Sequence, residues 1–286
     1  MARIVYLNGE FIQQHQAKVS IFDRGFLFAD AVYEVTSVLN GKLIDFDGHA
    51  VRLARSLKEI NIDFPCERGV LLEIHRELIR LNGLTNGLIY LQVTRGNPED
   101  RDFIYPSSET PPTLILFTQS KPDLVENPLA KRGLKVMSVP DRRWGRRDIK
   151  TVQLLYSSMS KMEARSAGYD DAWMVENDEV TEGTSSNAYI IKGQKIITRN
   201  LSPQILQGIT RAAVLRFASE FELEIEERPF TLAEAQHADE AFITSASSFV
   251  TPVVELDGHA IGSGRPGPIV GRLREIYLDE SLKTAI

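Results

Sequence analysis

An α+β chain in two domains is the fold class this sequence predicts, and three observations carry it. Strand-like and helix-like stretches are mixed without the strict alternation of a doubly wound sheet. Two Asn-Gly pairs, Asn8-Gly9 and Asn40-Gly41, sit between apolar runs in the way that marks tight hairpins. A break over Gln119 to Arg132, where Lys-Pro-Asp and Asn-Pro interrupt any regular pattern, parts the chain. The expected organisation is a smaller N-terminal domain over 1–118, a linker over 119–132 and a larger C-terminal domain over 133–286.

The elements follow in order. Ile4–Leu7 and Glu10–Ile12 form the first hairpin, and Ala31–Leu39 with Lys42–Phe46 form the second. Helical spacing of Leu53, Leu57 and Ile60 predicts a helix over Gly48–Ile60, and Leu71, Leu78 and Leu81 predict another over Glu67–Leu81. Gly87–Thr94 and Thr113–Thr118 read as strands, the first apolar enough for a central position. Beyond the break come strands at Leu134–Val139, Asp171–Glu176, Asn187–Lys192 and Lys195–Thr198, with Gly193 in the last turn. Helices are expected at Leu154–Ala167, Gln207–Glu220, Thr231–Ala235 and Gly267–Leu278, and a strand at Ala241–Thr244.

Composition narrows the function classes. The 286 residues suffice for one large or two medium cores, and an apolar fraction of 43% with 25% charged residues is ordinary for a globular protein. A formal charge of −6 argues against a nucleic-acid surface. No run of about 18 apolar residues predicts a membrane span, and the start leads straight into a strand, so a cytoplasmic address is expected. The single cysteine, Cys66, has no internal partner, and five scattered histidines show no metal-ligand spacing, so no metal is expected.

Chemistry concentrates at Lys150, in Asp148-Ile149-Lys150-Thr151-Val152. One lysine among 33 basic residues is ordinarily a solvated charge. This one has Arg146 and Arg147 on one side and Ile149, Val152, Leu154 and Leu155 around it. Cationic neighbours and apolar surroundings both lower a lysine's proton affinity and make it a nucleophile towards aldehydes. Downstream, Glu182 in Glu182-Gly183-Thr184-Ser185-Ser186-Asn187 is the kind of carboxylate that keeps a pyridine nitrogen protonated. Lysine plus carboxylate is the pairing expected for pyridoxal 5′-phosphate. Gln207-Gly208-Ile209-Thr210-Arg211 adds a helix start with a close-approach glycine and a hydroxyl, which suits a phosphate monoester.

Several ordered segments closely resemble the class IV, fold type IV, pyridoxal-phosphate-dependent aminotransferases. They are Asp23–Glu34, His49–Leu53, Val93–Gly96, Asp148–Lys150, Glu182–Asn187 and Leu206–Arg211, and the resemblance covers nearly the whole chain. It implies an N-terminal α/β sandwich-like domain, a C-terminal domain with a pseudo-barrel sheet and helices, and a homodimer. It also implies Lys150 as the cofactor lysine, working through an aldimine and a ketimine in a ping-pong transfer. Glu182 is implied as the ring-nitrogen partner and Leu206 as packing on the ring face. Arg52, Gly208, Ile209 and Thr210 are implied as phosphate residues. The stretch Thr244–Ser248 should complete the phosphate site. There Ala246 replaces a threonine of relatives, keeping the N–H but losing a hydroxyl for which Ser245 and Ser247 can compensate.

Within the family, Tyr33 matches the tyrosine that holds the substrate carboxylate in D-amino-acid aminotransferases. Arg101 aligns with their carboxylate arginine if one residue is inserted, and Phe103 then stands where they have histidine. A simple loop ion pair with Glu99, Asp100 or Asp102 is the plain alternative for Arg101. Branched-chain aminotransferases usually carry tyrosine five residues beyond the lysine, where this chain has Leu155. The resemblance therefore implies transfer between a D-amino acid and a 2-keto acid. A branched-chain L-amino-acid aminotransferase, an aminodeoxychorismate lyase, an (R)-amine transaminase and a catalytically idle binder on the same scaffold are the other readings.

Overall fold

The computed structural model describes residues 2–220 and 223–286, and they cluster into two compact units. The first comprises residues up to Leu124 together with Ile149–Gln153 and Thr284–Ile286. The second comprises Val125–Asp148 and Leu154–Lys283. The expected split thus differs in one important place. The lysine segment, assigned from sequence to the C-terminal domain, clusters with the first unit, because its backbone bonds to a strand there.

In the first unit the chain forms β1 (Ile4–Leu7), β2 (Glu10–Gln13), α1 (Arg24–Phe28), β3 (Ala31–Leu39), β4 (Lys42–Leu43), α2 (Phe46–Glu59), α3 (Arg68–Asn82), β5 (Gly87–Thr94) and β6 (Thr113–Ser120). The six strands make one antiparallel sheet in the order β2-β1-β6-β5-β3-β4. Both Asn-Gly turns form with φ positive at each residue, 47° and 104° at Asn8 and Gly9, 52° and 75° at Asn40 and Gly41. That is the backbone a two-residue hairpin of right-handed twist requires. β4 is shorter than expected, because Asp45 adopts φ 52° and the chain enters α2 at Phe46, two residues early. The final residue, Ile286, exchanges N–H and C=O bonds of 3.2 and 2.8 Å with Leu43. Leu53, Leu57, Leu71 and Leu78 are buried beneath the sheet, as their helical spacing demands.

The second unit adds α4 (Pro128–Arg132), β7 (Leu134–Pro140), α5 (Leu155–Ser166), β8 (Asp171–Glu176), β9 (Glu179–Gly183), β10 (Asn187–Lys192), β11 (Lys195–Thr198), α6 (Ile209–Glu220), β12 (Glu224–Glu227), α7 (Leu232–Gln236), β13 (Glu240–Ser245), β14 (Phe249–Leu256), β15 (His259–Ala260) and α8 (Pro268–Thr284). Its sheet is mixed, ordered β12-β11-β10-β13-β14-β7-β8-β9, with β15 on β14. From β9 at one edge the chain passes straight to β10 in the interior through a turn closed by Gly183 N–H on Ser186 O at 2.7 Å. An edge can meet an interior strand this way only if the sheet curls. Trp173, Val136, Ile190 and Phe230 fill the interior of that curl.

Six elements among the described residues were not expected from sequence: α1, β9 and the short β15, and three more whose signals were hidden. α4 lies inside the proposed linker, started by Asn127, whose side chain accepts from Leu129 N–H, with proline at the first turn. β14 contains Pro252, a residue that normally argues against a central strand. It is tolerated because the ladder to β7 begins only at Val253. β12 reads as a charged stretch, but Lys195 neutralises Glu224 and Glu226 at 3.0 and 3.1 Å. The wholly buried Leu78 offers a test of the helix–sheet core: Leu78→Ala should cost about 2–5 kcal/mol in urea unfolding without changing the circular dichroism of the native state.

Candidate functional site

In the first unit the lysine segment lies along β3. Tyr33 N–H donates to Lys150 O at 3.0 Å and Val152 N–H to Ala31 O at 3.1 Å, so the two peptides that follow the lysine are fixed. Ser56 Oγ on α2 accepts a long bond from Lys150 N–H at 3.5 Å. The half-buried Lys150 places Nζ 4.1 Å from the centroid of the Tyr33 ring, which itself stacks on Tyr90. A cation or amine on a tyrosine face is held by the ring's negative quadrupole.

The opposite side of β3 carries a buried charge pair. Arg52 grips Glu34 with two bonds of 2.7 Å from Nε and Nη2, and His49 Nδ1 lies 2.8 Å from Glu34 Oε2. Burial alone would raise the Glu34 carboxyl. The Arg52 charge and hydrogen bonds, assisted by His49, overcome it and hold Glu34 down at about 2 against its ordinary 4.5. Neither Glu34 nor His49 was singled out from sequence, although both lie in quoted motifs. The signal available was a carboxylate and a histidine at buried positions of the strand and helix that carry Tyr33 and Arg52. Nearby, His75 is buried; its desolvation outweighs the bond to Leu71 O and pushes it down to about 4.

Arg101 and Phe103 sit on the exposed loop between β5 and β6. The Arg101 guanidinium packs over the rings of Phe28 and Phe103, at 4.9 and 5.1 Å, and makes no ion pair among the described residues. Its link to a neighbouring acid is the backbone N–H on Asp100 Oδ1 at 2.7 Å, so the loop-ion-pair alternative does not describe its side chain.

In the second unit Glu182 is buried near the end of β9, positioned by the β8–β9 hairpin whose turn residues Asn177 and Asp178 have φ of 53° and 62°. Its Oε2 accepts from Asn187 Nδ2 at 3.2 Å and Leu206 N–H at 3.1 Å, and Oε1 accepts from Arg143. Burial pushes the Glu182 carboxyl up, against the Arg143 charge that pulls it down. The Asn187 amide also donates to Leu206 O at 2.9 Å, tying β10 to the chain before α6. Only glycine fits at 208, since a Cβ there would come within 2.1 Å of Asn187 Oδ1. α6 then begins at Ile209, with Thr210 buried, and its first N–H groups have no acceptor within the helix. Asn187 pairs with Thr244 across β10 and β13, bringing the Ser245–Phe249 turn to the same end of the sheet. There Ser245 Oγ lies 3.3 Å from Ser247 Oγ and 2.7 Å from Ser248 Oγ. Ala246 lies in that turn, between the two serines.

Arg143, Arg146 and Arg147 are all paired with acids. Arg143 pairs with Asp141 and Glu182, Arg147 with Asp141 and Glu176 at 3.3 and 3.2 Å, and Arg146 with Asp148 at 3.0 Å. The expectation that Arg146 and Arg147 lower the proton affinity of Lys150 by their charge is therefore corrected, since both charges are paired. Alternating acids along Asp141, Asp148, Glu176 and Glu182 neutralise them, which the arginine count alone conceals.

A fixed amine on an aromatic face, a buried carboxylate with a restricted set of donors, and a helix N-terminus beside a hydroxyl turn are the parts of a pyridoxal-phosphate enzyme. Comparison with known proteins agrees. The family model for amino-transferase class IV matches residues 31–256. D-alanine aminotransferase of Staphylococcus aureus (strain MSSA476) is 39% identical over 274 residues, 95% of each chain. D-alanine aminotransferase of Bacillus licheniformis is 39% identical over 98% of this chain and 99% of its own. Among solved structures, a branched-chain amino acid aminotransferase from T.th. with pyridoxamine 5′-phosphate superposes with TM-score 0.89 at 26% identity, covering 98% of this chain and 94% of that one. The Thermoproteus uzoniensis branched-chain aminotransferase with norvaline gives 0.87 at 26%, covering 99% and 96%. The chain belongs to the class IV aminotransferases, and its fold is fold type IV.

The Glu34–Arg52 pair sets a pH dependence. A carboxyl lowered on folding stabilises the native state fully above its unfolded value near 4.5, and that contribution is lost as pH falls towards about 2. Glu34→Gln should cost about 3–5 kcal/mol at neutral pH by leaving Arg52 without its counter-charge. The difference from the parent protein should shrink below about pH 4.5, as read by denaturant unfolding at a series of pH values.

Proposed function

We propose that this aminotransferase moves the amino group of a D-amino acid, such as D-alanine or D-glutamate, to a 2-keto acid, as a cytoplasmic homodimer using pyridoxal 5′-phosphate. The observation that carries the reading is the Lys150 amine, pinned by backbone bonds beside Tyr33, in a chain 39% identical to D-alanine aminotransferases over nearly its whole length. Pyridoxal phosphate supplies an aldehyde for the amine and a ring that takes up electron density.

The residues fit that cofactor. Lys150 Nζ is assigned to hold its aldehyde and then, released, to take the substrate Cα proton, a role typically worth about 10²–10⁴-fold. Its fixed backbone supports this, because a base must return to the same place at each turnover. Glu182 is assigned to the ring nitrogen. A carboxyl whose proton affinity burial has raised is the stronger acceptor for a pyridinium N–H. Asn187 and Leu206 orient it, and Leu206 is assigned to the ring face. For the phosphate, the N–H groups of Ile209 and Thr210, the approach allowed by Gly208 and the turn at Ser245, Ala246 and Ser247 supply donors; Arg52 is assigned to it by the resemblance, with its charge already shared with Glu34. Ser186 Oγ is buried without a hydrogen-bond partner among the described residues, a further donor of the Glu182–Asn187 turn.

Tyr33 and Arg101 are assigned to the substrate carboxylate, with Phe103 replacing a hydrogen-bonding residue by a ring. A guanidinium that has no competing carboxylate suits this. For the homodimer, each unit exposes apolar side chains: Ile21, Phe26, Phe103 and Ile104 in the first, and Leu155, Met159 and Met162 along one side of α5 in the second. Such patches are typical of covered surfaces. The second reading, a branched-chain L-amino-acid aminotransferase, is favoured by the structural neighbours.

Purified protein supplied with pyridoxal phosphate should lose its visible absorption on adding D-alanine, releasing pyruvate, and should not respond comparably to L-leucine. A response to L-leucine alone would select the second reading. Lys150→Ala should abolish both turnover and the absorption arising from the lysine-bound cofactor, and normal catalysis by that variant would reject the assignment. Glu182→Gln should lower kcat by about 10–100-fold, since a neutral amide no longer favours a protonated ring; an unchanged kcat would remove Glu182 from the ring nitrogen.

A further inference from the structure

At the foot of β3, Asp30 carries two arginines at once. Its Oδ2 accepts from Arg24 Nε at 2.8 Å and Arg95 Nε at 2.7 Å, and its Oδ1 accepts from Arg95 Nη2 at 3.0 Å. All three side chains are at most 10% exposed. Such a cluster is costly to desolvate, and removing one member leaves buried charge uncompensated.

The remaining donors of the two guanidiniums point to different tasks. Arg95 reaches Ile60 O at 2.6 Å and Asn61 O at 2.8 Å, tying itself to the end of α2. Arg24 reaches forward into the β5–β6 loop, bonding Asp102 O and, at 3.4 Å, Ile104 O. Both lie on the Tyr105 ring, Arg95 at 3.7 Å and Arg24 at 5.6 Å from its centroid. The loop is thereby fastened on either side of Phe103, while Arg101 packs on Phe28, a ring that the Arg24 guanidinium also covers at 4.4 Å. Its entry is fixed as well. Gly96 has φ +91°, and a Cβ there would come within 2.1 Å of Pro111 O. Beyond these contacts Phe103 meets the Phe28 ring edge-on at 5.4 Å, while Phe103 and Ile104 are each 76% exposed.

We infer that Asp30, acting through Arg24 and Arg95, sets the position of the 97–110 loop and hence of the Arg101 guanidinium, which makes Asp30 a positioning residue for recognition of the substrate carboxylate. This rests on the assignment of Arg101 to that carboxylate. Without the shared counter-charge the two arginines repel, Arg24 leaves the Asp102 and Ile104 carbonyls, and Arg101 loses its fixed origin. A cation displaced by about an ångström weakens binding of the carboxylate while leaving Lys150 in place.

Steady-state kinetics of the cofactor-loaded enzyme with D-alanine and 2-oxoglutarate test this. Asp30→Asn should raise both KM values about tenfold with kcat within about twofold, the pattern of lost uniform binding, and the visible absorption should be unchanged. Asp30→Glu, which keeps the charge, should recover most of the loss. Arg101→Leu should raise KM to a similar extent, and adding Asp30→Asn to it should raise KM by no more than about twofold further, because the two act through one contact. Should Asp30→Asn not fold, Tyr105→Ala, at a position 54% exposed, loosens the same loop and should show the same non-additive rise. Unchanged KM in Asp30→Asn beside raised KM in Arg101→Leu, or a full additional tenfold rise in the double variant, overturns the inference and leaves the functional reading intact. Unchanged KM in Arg101→Leu removes the assignment of Arg101 itself, and the inference with it.

Discussion

Alternation along β3 is the constraint on which the chemistry of the first unit depends. Successive side chains of a strand point to opposite faces. Tyr33 and Val35 are half-buried, whereas Glu34 and Thr36 are buried against the helices. The same strand therefore offers an aromatic platform to the lysine on one side and a carboxylate to Arg52 on the other. Its backbone does a third job, since the Tyr33 amide accommodates the Lys150 carbonyl. A register slip of one residue would exchange the two faces and lose all three relations together.

Buried charge recurs throughout, and it is nearly always shared. Glu34 serves Arg52 and His49, Asp30 serves two arginines, and Asp141 serves Arg143 and Arg147. Each ion taken from water needs several partners to offset its desolvation. Such clusters fix angles more than they add stability, which suits an enzyme whose cofactor must meet a carboxylate, an amine and a phosphate cradle at set positions.

Much of this was legible in the sequence because it depends on local rules. The Asn-Gly hairpins, the leucine spacing of α2 and α3, and the ordered motifs around Lys150 and Glu182 are local signals, and the hairpins, helices and family membership follow from them. What escaped was non-local. β14 hides behind Pro252, whose missing amide matters only relative to where β7 starts. Arg143 and Arg147 each have one acid close by, Asp141, and a second, Glu182 or Glu176, that comes some thirty to forty residues later in the chain. Asp30 and Glu34 were visible as motif letters, but their partners are set by tertiary contacts that no spacing encodes. The lysine segment was placed with its sequence neighbours, although two backbone bonds commit it to β3.

The two-sidedness of β3 also bears on how this scaffold could be re-tooled. Diversity introduced at Val35, on the half-open side, changes only what the surface presents to small molecules. Diversity at Glu34 or Thr36 disturbs the joint with α2. Tolerance to replacement should alternate between Tyr33 and Thr36, and vanish at both buried ends of the strand. A library confined to Val35, the half-buried position beside the lysine platform, would then explore new surface chemistry while its members still fold.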